Sequence, residues 1–131
     1  MAEFAWDHVH IKTYDVPAAA SWLRDKLSAG LAQGTQVTEA RAEIMFGPNK
    51  VLVTQVKQGD GTNPTPAIPY AGFEHFGLIV RDIDKVAAEL KSKGVEFTRE
   101  PVTIRPGVRI CFIRSPQGIS IELLERDAKY K

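Results

Sequence analysis

A chain of 131 residues with 44% hydrophobic and 25% charged residues has the composition of an ordinary folded domain. Its formal net charge of +1 gives no electrostatic footprint for nucleic acid, and no apolar run approaches the ~20 residues of a membrane span. The single cysteine, Cys111, excludes an internal disulfide framework and a cysteine-based zinc site. These properties predict a cytoplasmic protein with no nucleic-acid or membrane partner.

The first half of the chain has the pattern of a strand, a helix and three more strands. Phe4 to Thr13 alternates as a strand, and Asp15 is placed to cap a helix whose apolar residues recur at helical spacing. Gly30 and Gly34 are expected to end that helix. The remaining predicted strands are Thr35 to Ala40, Arg41 to Phe46 and Val51 to Val56.

The second half follows the same plan after a polar segment that is rich in glycine and proline. A strand is predicted from Phe73 to Val80, then a helix capped by Asp82 and stopped by Gly94. The three strands that follow are predicted at Val95 to Thr103, Val108 to Ile113 and Ile119 to Leu124.

The two halves also repeat chemically reactive residues. His8 and His75 are 67 positions apart, each follows an acidic residue, and an aspartate lies seven places after each histidine. At the same offset Gln55 matches Glu122. A fixed period of this kind indicates an internal duplication.

Alternation along the strands predicts which side chains share a face. If His8 points into a cleft, so do His10 and Lys12, while Val9 and Ile11 pack on the other side. Glu122 would likewise point inward between the outward-packing Ile121 and Leu123, and Gln55 is expected to point inward on the fourth strand. These polar residues would line a cleft between the equivalent strands of the two halves.

The doubled β-α-β-β-β plan, the histidine that opens each half and the segment Ser115-Pro116-Gln117-Gly118-Ile119-Ser120-Ile121-Glu122-Leu123 resemble the vicinal-oxygen-chelate superfamily. That superfamily includes glyoxalase I, methylmalonyl-CoA epimerase, extradiol dioxygenases and antibiotic-resistance proteins. The resemblance implies an α+β fold in which two tandem β-α-β-β-β modules form a curved mixed sheet around a metal-binding cleft. A single domain, 1–131, would consist of repeat 1 (about 4–57), a linker (58–72) and repeat 2 (about 73–125).

The resemblance further implies that one divalent cation is bound by four side chains: His8, Gln55, His75 and Glu122. Two imidazoles, a carboxylate and an amide oxygen suit a borderline divalent metal with room for water or substrate. Zinc, nickel, cobalt, manganese and iron all remain candidates. No thiolate contributes, so a closed structural zinc site is not expected.

Catalytic roles are predicted for Glu43 and Glu122. The segment around Glu43 resembles the strand that carries a catalytic glutamate in methylmalonyl-CoA epimerase, and Glu43 could remove a proton from a carbon next to a carbonyl. A metal on the carbonyl oxygen would stabilise the enolate. Arg109, which matches Glu43 in the repeat, and His10 are candidate substrate-binding residues.

Three functions remain open at this stage. The leading one is a metal-dependent lyase or isomerase of the glyoxalase or epimerase type. A ring-cleaving Fe(II) dioxygenase is compatible with two histidines and one carboxylate. A resistance protein that sequesters a small molecule without catalysis is the third. The family resemblance also implies a homodimer, because the sheet edges of such repeats often pair across a two-fold axis.

Overall fold

A computed structural model describes residues 3–127 of the chain. The chain divides into two compact units, Met1–Asn63 (unit 1) and Pro64–Lys131 (unit 2). The boundary between them falls within the polar segment 58–72.

Unit 1 consists of one helix and a four-stranded sheet. Its elements are β1 (His8–Thr13), α1 (Val16–Leu27), β2 (Gly30–Leu31), β3 (Arg41–Phe46) and β4 (Asn49–Gln55). The strand order in the sheet is β1-β4-β3-β2, with β1 and β4 parallel and the other neighbours antiparallel. The parallel neighbours are joined through α1 and two further strands, so the sheet is mixed.

Local chemistry sets the bounds of α1. The side chain of Asp15 accepts a hydrogen bond of 3.0 Å from the backbone N–H of Ala18, and Pro17 lies in the first turn. The helix ends at Leu27, and Ser28 adopts the left-handed conformation that closes it (φ 60°). The prediction that Gly30 ends the helix was wrong, because Gly30 begins β2.

The predicted strand from Thr35 to Ala40 was also wrong. Thr38 folds this segment into a turn, because its hydroxyl oxygen accepts hydrogen bonds from the backbone N–H groups of Ala40 and Arg41 at 3.3 and 3.1 Å. Threonine side chains compete in this way with ladder hydrogen bonds. The second strand of unit 1 is therefore the two-residue β2, which pairs with β3.

One face of the unit 1 sheet is buried. Ile11, Ala42, Ile44 and Val53 are each at most 6% exposed, and α1 packs against β3 and β4. The inner stripe of α1 is equally buried and consists of Val16, Ala19, Ala20 and Leu23.

Unit 2 has the same plan, with a much longer strand after its helix: 10 residues in place of 2. Its elements are β5 (His75–Ile79), α2 (Ile83–Ser92), β6 (Glu96–Arg105), β7 (Val108–Arg114) and β8 (Ser120–Arg126). The strand order is β5-β8-β7-β6, with β5 and β8 parallel and the other neighbours antiparallel. Two four-stranded mixed sheets, each with one helix, confirm the predicted α+β class.

The start of α2 is attached to β8. Asp82 caps the helix through Lys85 N–H, and the carboxylate of Glu125 accepts the backbone N–H of Asp82 at 2.7 Å. A carboxylate at this end is favourable because the first N–H groups of a helix have no intrahelical partner.

The core of unit 2 includes Cys111, Ile121 and Leu123, which are at most 1% exposed. Burial raises the pKa of the Cys111 thiol to about 11, so this cysteine serves packing.

Candidate metal centre

In unit 1 the register of β1 with β4 decides which side chains share a face. His8 lies opposite Lys50 and His10 lies opposite Leu52, while Leu52 in turn lies opposite Glu43 on β3. Directly opposed residues point to the same side of a sheet. We call the side that carries these five residues, away from the buried face, the histidine face of unit 1.

His8 is oriented by the residue that precedes it. Its Nδ1 lies 2.6 Å from the Asp7 carboxylate, which leaves Nε2 free to bind a cation. Metal-binding histidines are commonly held in this way by a carboxylate on the other ring nitrogen. The rings of His8 and His10 lie edge to face with centroids 5.9 Å apart.

His10 is hydrogen-bonded across the sheet. Its Nε2 lies 2.7 Å from the hydroxyl oxygen of Thr54 on β4. Desolvation by burial lowers the pKa of His10, with a further contribution from the positive charge of Lys12. The prediction that His8, His10 and Lys12 share one face is confirmed by the strand register.

Gln55 does not share that face. It lies opposite Thr13 on β1. Because side chains alternate along a strand, Gln55 is on the same face as Val51 and Val53, the face that α1 covers. The prediction that Gln55 points inward beside His8 was therefore wrong, and His8 itself pairs five positions earlier on β4, with Lys50. The sequence offset of 67 aligned Gln55 with Glu122 without regard to strand pairing.

Glu43 lies on the histidine face of unit 1 and is held by two cations. Its carboxylate is 2.7 Å from the ammonium of Lys50 and 3.9 Å from the guanidinium of Arg41. The hydrogen bond from Lys50 lowers the pKa of Glu43. The glutamate is therefore ionised over a wide pH range, on the face that carries His8.

In unit 2 the corresponding face carries His75 and Glu122. His75 lies opposite Ser120, and Glu122 lies two residues further on, opposite Gly77. Nε2 of His75 is 3.9 Å from the Glu122 carboxylate, beyond hydrogen-bond distance. Nδ1 of the same ring lies 2.9 Å from the Glu74 carboxylate, as Asp7 holds His8 in unit 1.

Two further residues shape this part of unit 2. The ring of Phe112 packs edge to face on His75 with centroids 4.9 Å apart. A Cβ at Gly77 would lie only 2.9 Å from Leu124 Cδ1, so a larger residue at this position opposite Glu122 would require Leu124 to move.

Arg109 lies on the other face of the unit 2 sheet. It is opposite Glu125, and its guanidinium forms a two-pronged ion pair with Asp84 on α2 at 2.7 and 3.1 Å. The prediction that Arg109 anchors a substrate beside the metal ligands was therefore wrong, because alternation turns it away from Glu122. Its guanidinium instead ties β7 to α2.

The donor groups of both units fit a divalent cation. Each histidine has one ring nitrogen held by a carboxylate and the other free, and Glu122 faces the free nitrogen of His75. Two ligand atoms at about 2.1 Å from one ion are separated by roughly 3–3.5 Å at tetrahedral or octahedral angles. The 3.9 Å between His75 Nε2 and the Glu122 carboxylate is slightly longer than this separation. Within residues 3–127 no preformed group of three or more His, Cys, Asp or Glu side chains is present.

The chain matches the model of the Glyoxalase/Bleomycin resistance protein/Dioxygenase superfamily over residues 5–123. It belongs to this superfamily. The resemblance inferred from the duplicated histidines and the Ser115–Leu123 segment is thus confirmed.

No helix among the described residues is long and apolar enough to cross a membrane.

Several relatives in the glyoxalase superfamily are named lactoylglutathione lyases. A chloroplastic protein of Arabidopsis thaliana, named a probable lactoylglutathione lyase, is 46% identical over 57 residues, which are 43% of this chain and 16% of that protein. A probable lactoylglutathione lyase of Synechocystis is 36% identical over 59 residues, 44% of this chain and 45% of that protein. The matched segments thus span less than half of these curated relatives.

Solved structures of the glyoxalase superfamily share the fold over nearly the whole chain. A glyoxalase family protein from Enterococcus faecalis has a TM-score of 0.74 at 22% identity, covering 95% of this chain and all of that one. A glyoxalase/bleomycin resistance protein/dioxygenase from Alicyclobacillus acidocaldarius has a TM-score of 0.68 at 18% identity, covering 96% and 94%. At such identities the comparison establishes the fold.

Proposed function

We propose that the protein is a metal-dependent lyase or isomerase of the glyoxalase type, with the cation bound by His8, His75 and Glu122. The observation that carries the proposal is the matched orientation of the two imidazoles. In each unit a preceding carboxylate, Asp7 or Glu74, holds Nδ1 and leaves Nε2 available.

The donor set defines the range of metals. Two imidazoles and one carboxylate suit zinc, nickel, cobalt, manganese or ferrous iron, and they leave positions for substrate oxygens. When bound, the cation would act as a Lewis acid on the oxygen that becomes negatively charged during proton transfer. Gln55 is left out of the proposed set, because alternation along β4 puts it on the opposite face of the unit 1 sheet from His8.

Glu43 is proposed as the base that accepts the proton from the carbon next to the carbonyl. It lies on the same sheet face as His8, and its ion pair with Lys50 keeps it ionised. Lys50 also lowers the basicity of Glu43, so proton transfer requires this contact to lengthen as substrate binds. The captured proton would then be returned to the neighbouring carbon, which completes an isomerisation without net loss of atoms.

The curated relatives supply the first substrate to test. Lactoylglutathione is an isomer of the hemithioacetal that an α-ketoaldehyde forms with glutathione, so its formation needs only a proton shift between adjacent carbons. We propose a hemithioacetal or another α-hydroxycarbonyl compound as substrate. His10 would contact the substrate, since it lies beside His8 and is oriented by Thr54.

Proton exchange with solvent tests this proposal directly. Metal-loaded protein incubated with the hemithioacetal in deuterated water should give a product that carries deuterium at the neighbouring carbon, to which the proton is returned. Glu43→Gln should lower the rate by about 10²–10⁴-fold, the usual contribution of a positioned base, while metal content stays unchanged. Glu39→Gln, an exposed glutamate outside the strands, is the matched control. An unchanged exchange rate in Glu43→Gln would remove Glu43 from the mechanism.

A second function, ring-cleaving oxygenation, is favoured by one observation. The residue on β4 opposite His10 is Leu52, which has no ligand atom. Without Gln55, the proposed ligands are two histidines and one carboxylate. Such a set binds ferrous iron with open positions. Oxygen consumption with catechol by protein loaded anaerobically with iron would support oxygenation, and a deuterium exchange signal without oxygen uptake would reject it.

The proposed ligands come from both units, so a complete site needs unit 1 and unit 2 from one chain or from two chains of a homodimer. Mixing His8→Ala with Glu122→Ala protein separates these cases. If the ligands come from two chains, random pairing leaves about a quarter of the sites intact, and about a quarter of the activity returns. If they come from one chain, no activity returns.

A further inference from the structure

The two sheets can be superimposed strand on strand by their pairing alone. His8 lies opposite Lys50 in unit 1, and His75 lies opposite Ser120 in unit 2. Two residues further along the parallel pair, unit 1 has His10 opposite Leu52, and unit 2 has Gly77 opposite Glu122. By strand register, Leu52 is therefore the counterpart of Glu122.

The antiparallel pairs extend this correspondence to the neighbouring strands. Leu52 lies opposite Glu43 on β3, and Glu122 lies opposite Phe112 on β7. The same comparison makes Phe112 the counterpart of Glu43, which the sequence offset had assigned to Arg109.

The side chains at these matched positions differ in chemistry. In unit 2, Gly77 lies opposite Glu122 and has no side chain. In unit 1, the imidazole of His10 occupies the place of that glycine, and Leu52, only 8% exposed, has no donor atom. Unit 1 therefore supplies an imidazole from β1 and no carboxylate from the matched place on β4.

We infer that Leu52 limits the cation to three protein ligands by occupying the place of a fourth, and that a carboxylate at this position would bind the same cation. This inference rests on the proposed function, because it assumes that His8, His75 and Glu122 bind a divalent ion. It goes beyond that function by naming the residue that sets ligand number.

The ligand number also sets the charge of the centre. Two neutral imidazoles and one carboxylate leave a divalent cation with one net positive charge, whereas a second carboxylate would neutralise it. A net positive centre attracts anionic substrate oxygens and stabilises charge that develops on them. Leu52 thus selects for substrates that bind through an oxygen with negative charge.

Metal affinity tests the inference with cobalt(II) as the probe, in competition with a chelator. Leu52→Glu should tighten the Kd at least tenfold relative to the unaltered protein, which corresponds to about 1.4 kcal/mol. Lys12→Gln is the matched control, because it changes net charge by the same amount on the same sheet face without adding a carboxylate. Equal tightening in both variants would overturn the inference, since charge alone would then explain the effect.

An exchange of the two positions makes the test more specific. Glu122→Leu should lose at least about 100-fold in cobalt(II) affinity, as expected on removal of one of three ligands. Adding Leu52→Glu to Glu122→Leu should recover at least tenfold of that loss, because the register puts the new carboxylate at the corresponding place. No recovery in a folded double variant would overturn the inference.

Leu52 is buried, so folding has to be measured together with binding. If circular dichroism shows that Leu52→Glu does not fold, Leu52→Gln adds a neutral amide oxygen as a weaker ligand and carries the test. A threefold or greater gain in cobalt(II) affinity by the folded glutamine variant supports the inference, and no gain overturns it.

The outcomes separate this inference from the proposed function. If the unaltered protein binds no divalent ion but Leu52→Glu does, the proposed function fails while the assignment of position 52 stands. If the unaltered protein binds cobalt(II) and no folded variant at position 52 alters its affinity, the inference fails and the proposed function stands.

Discussion

Unit 1 and unit 2 have the same strand order and the same acidic residue before the first histidine, yet they support that histidine differently. In unit 2 the partner strand supplies a carboxylate, Glu122, which lies opposite Gly77 and 3.9 Å from Nε2 of His75. In unit 1 the partner strand supplies Leu52, and a second histidine, His10, stands beside His8. Duplication preserved the backbone, while the ligands diverged.

The comparison separates the residues that a β-α-β-β-β unit requires from the residues that chemistry requires. Both units retain the aspartate that caps the helix, Asp15 or Asp82, and the apolar face that the helix covers. Only one retains a carboxylate beside its histidine. The proposed set of ligands is therefore asymmetric, and each of the following variants acts mainly on one unit.

The largest effect is expected from Glu122→Ala. Loss of the carboxylate that faces His75 should weaken divalent-metal binding by at least about 100-fold and abolish activity, because one of three protein ligands is removed. Isothermal titration with zinc or cobalt measures it. Glu125→Ala, on the other face of the same strand, is the control and should lower stability while metal affinity stays unchanged. Equal metal affinity in both variants would show that Glu122 is not a ligand.

The two carboxylates that hold the histidines should differ from each other. Glu74 is largely shielded, with 26% of its side chain exposed, whereas Asp7 is 87% exposed. Since removing such a partner typically costs 10–100-fold in metal affinity, we expect Glu74→Ala near the upper end and Asp7→Ala near the lower end. Elemental analysis after dialysis against a chelator compares the two. A larger loss in Asp7→Ala would reverse the expected order.

Replacement of Lys50 sharpens the comparison within unit 1. The hydrogen bond from Lys50 lowers the pKa of Glu43, so Lys50→Met should raise that pKa toward its ordinary value. If Glu43 is the base, the acidic limb of the kcat/KM profile should then move to higher pH, with the rate lost first at low pH. Arg41→Met, whose guanidinium lies 3.9 Å from Glu43, should cause a smaller shift. An unmoved acidic limb in Lys50→Met would argue against Glu43 as base.

The smallest effect is expected from Arg109→Met. Its guanidinium contacts Asp84 on α2, on the face away from Glu122, so kcat/KM should stay within a factor of about two and thermal stability should fall slightly. The Asp84 pKa is lowered by this ion pair, so the contribution to stability is present above the unfolded pKa and is lost as pH falls through the lower folded value. Melting temperatures at neutral and acidic pH measure it. A large loss of activity would show that Arg109 contributes to substrate binding or catalysis.

Strand pairing explains the errors in the predicted site. His8, His75 and Glu122 were singled out by their local context, which is an acidic neighbour or apolar residues on both sides, and their role as ligands stays a prediction. Gln55 and Arg109 were assigned by counting along the chain, and a constant offset does not follow a sheet in which turns and strands have changed length. Lys50 and Thr54 were missed because cross-strand neighbours depend on register.

The amino-acid sequence by itself determined the duplication, the α+β class, both helix caps and the two acid–histidine pairs. These features depend on residues close together in the chain, so local propensity and periodicity are enough to predict them. Only the tertiary structure decided that Leu52 takes the place of a carboxylate, that Gln55 has the parity of the buried face and that Arg109 turns toward α2. Each of these depends on which residue of one strand lies opposite which residue of another, and a shift of one position reverses the face of every side chain.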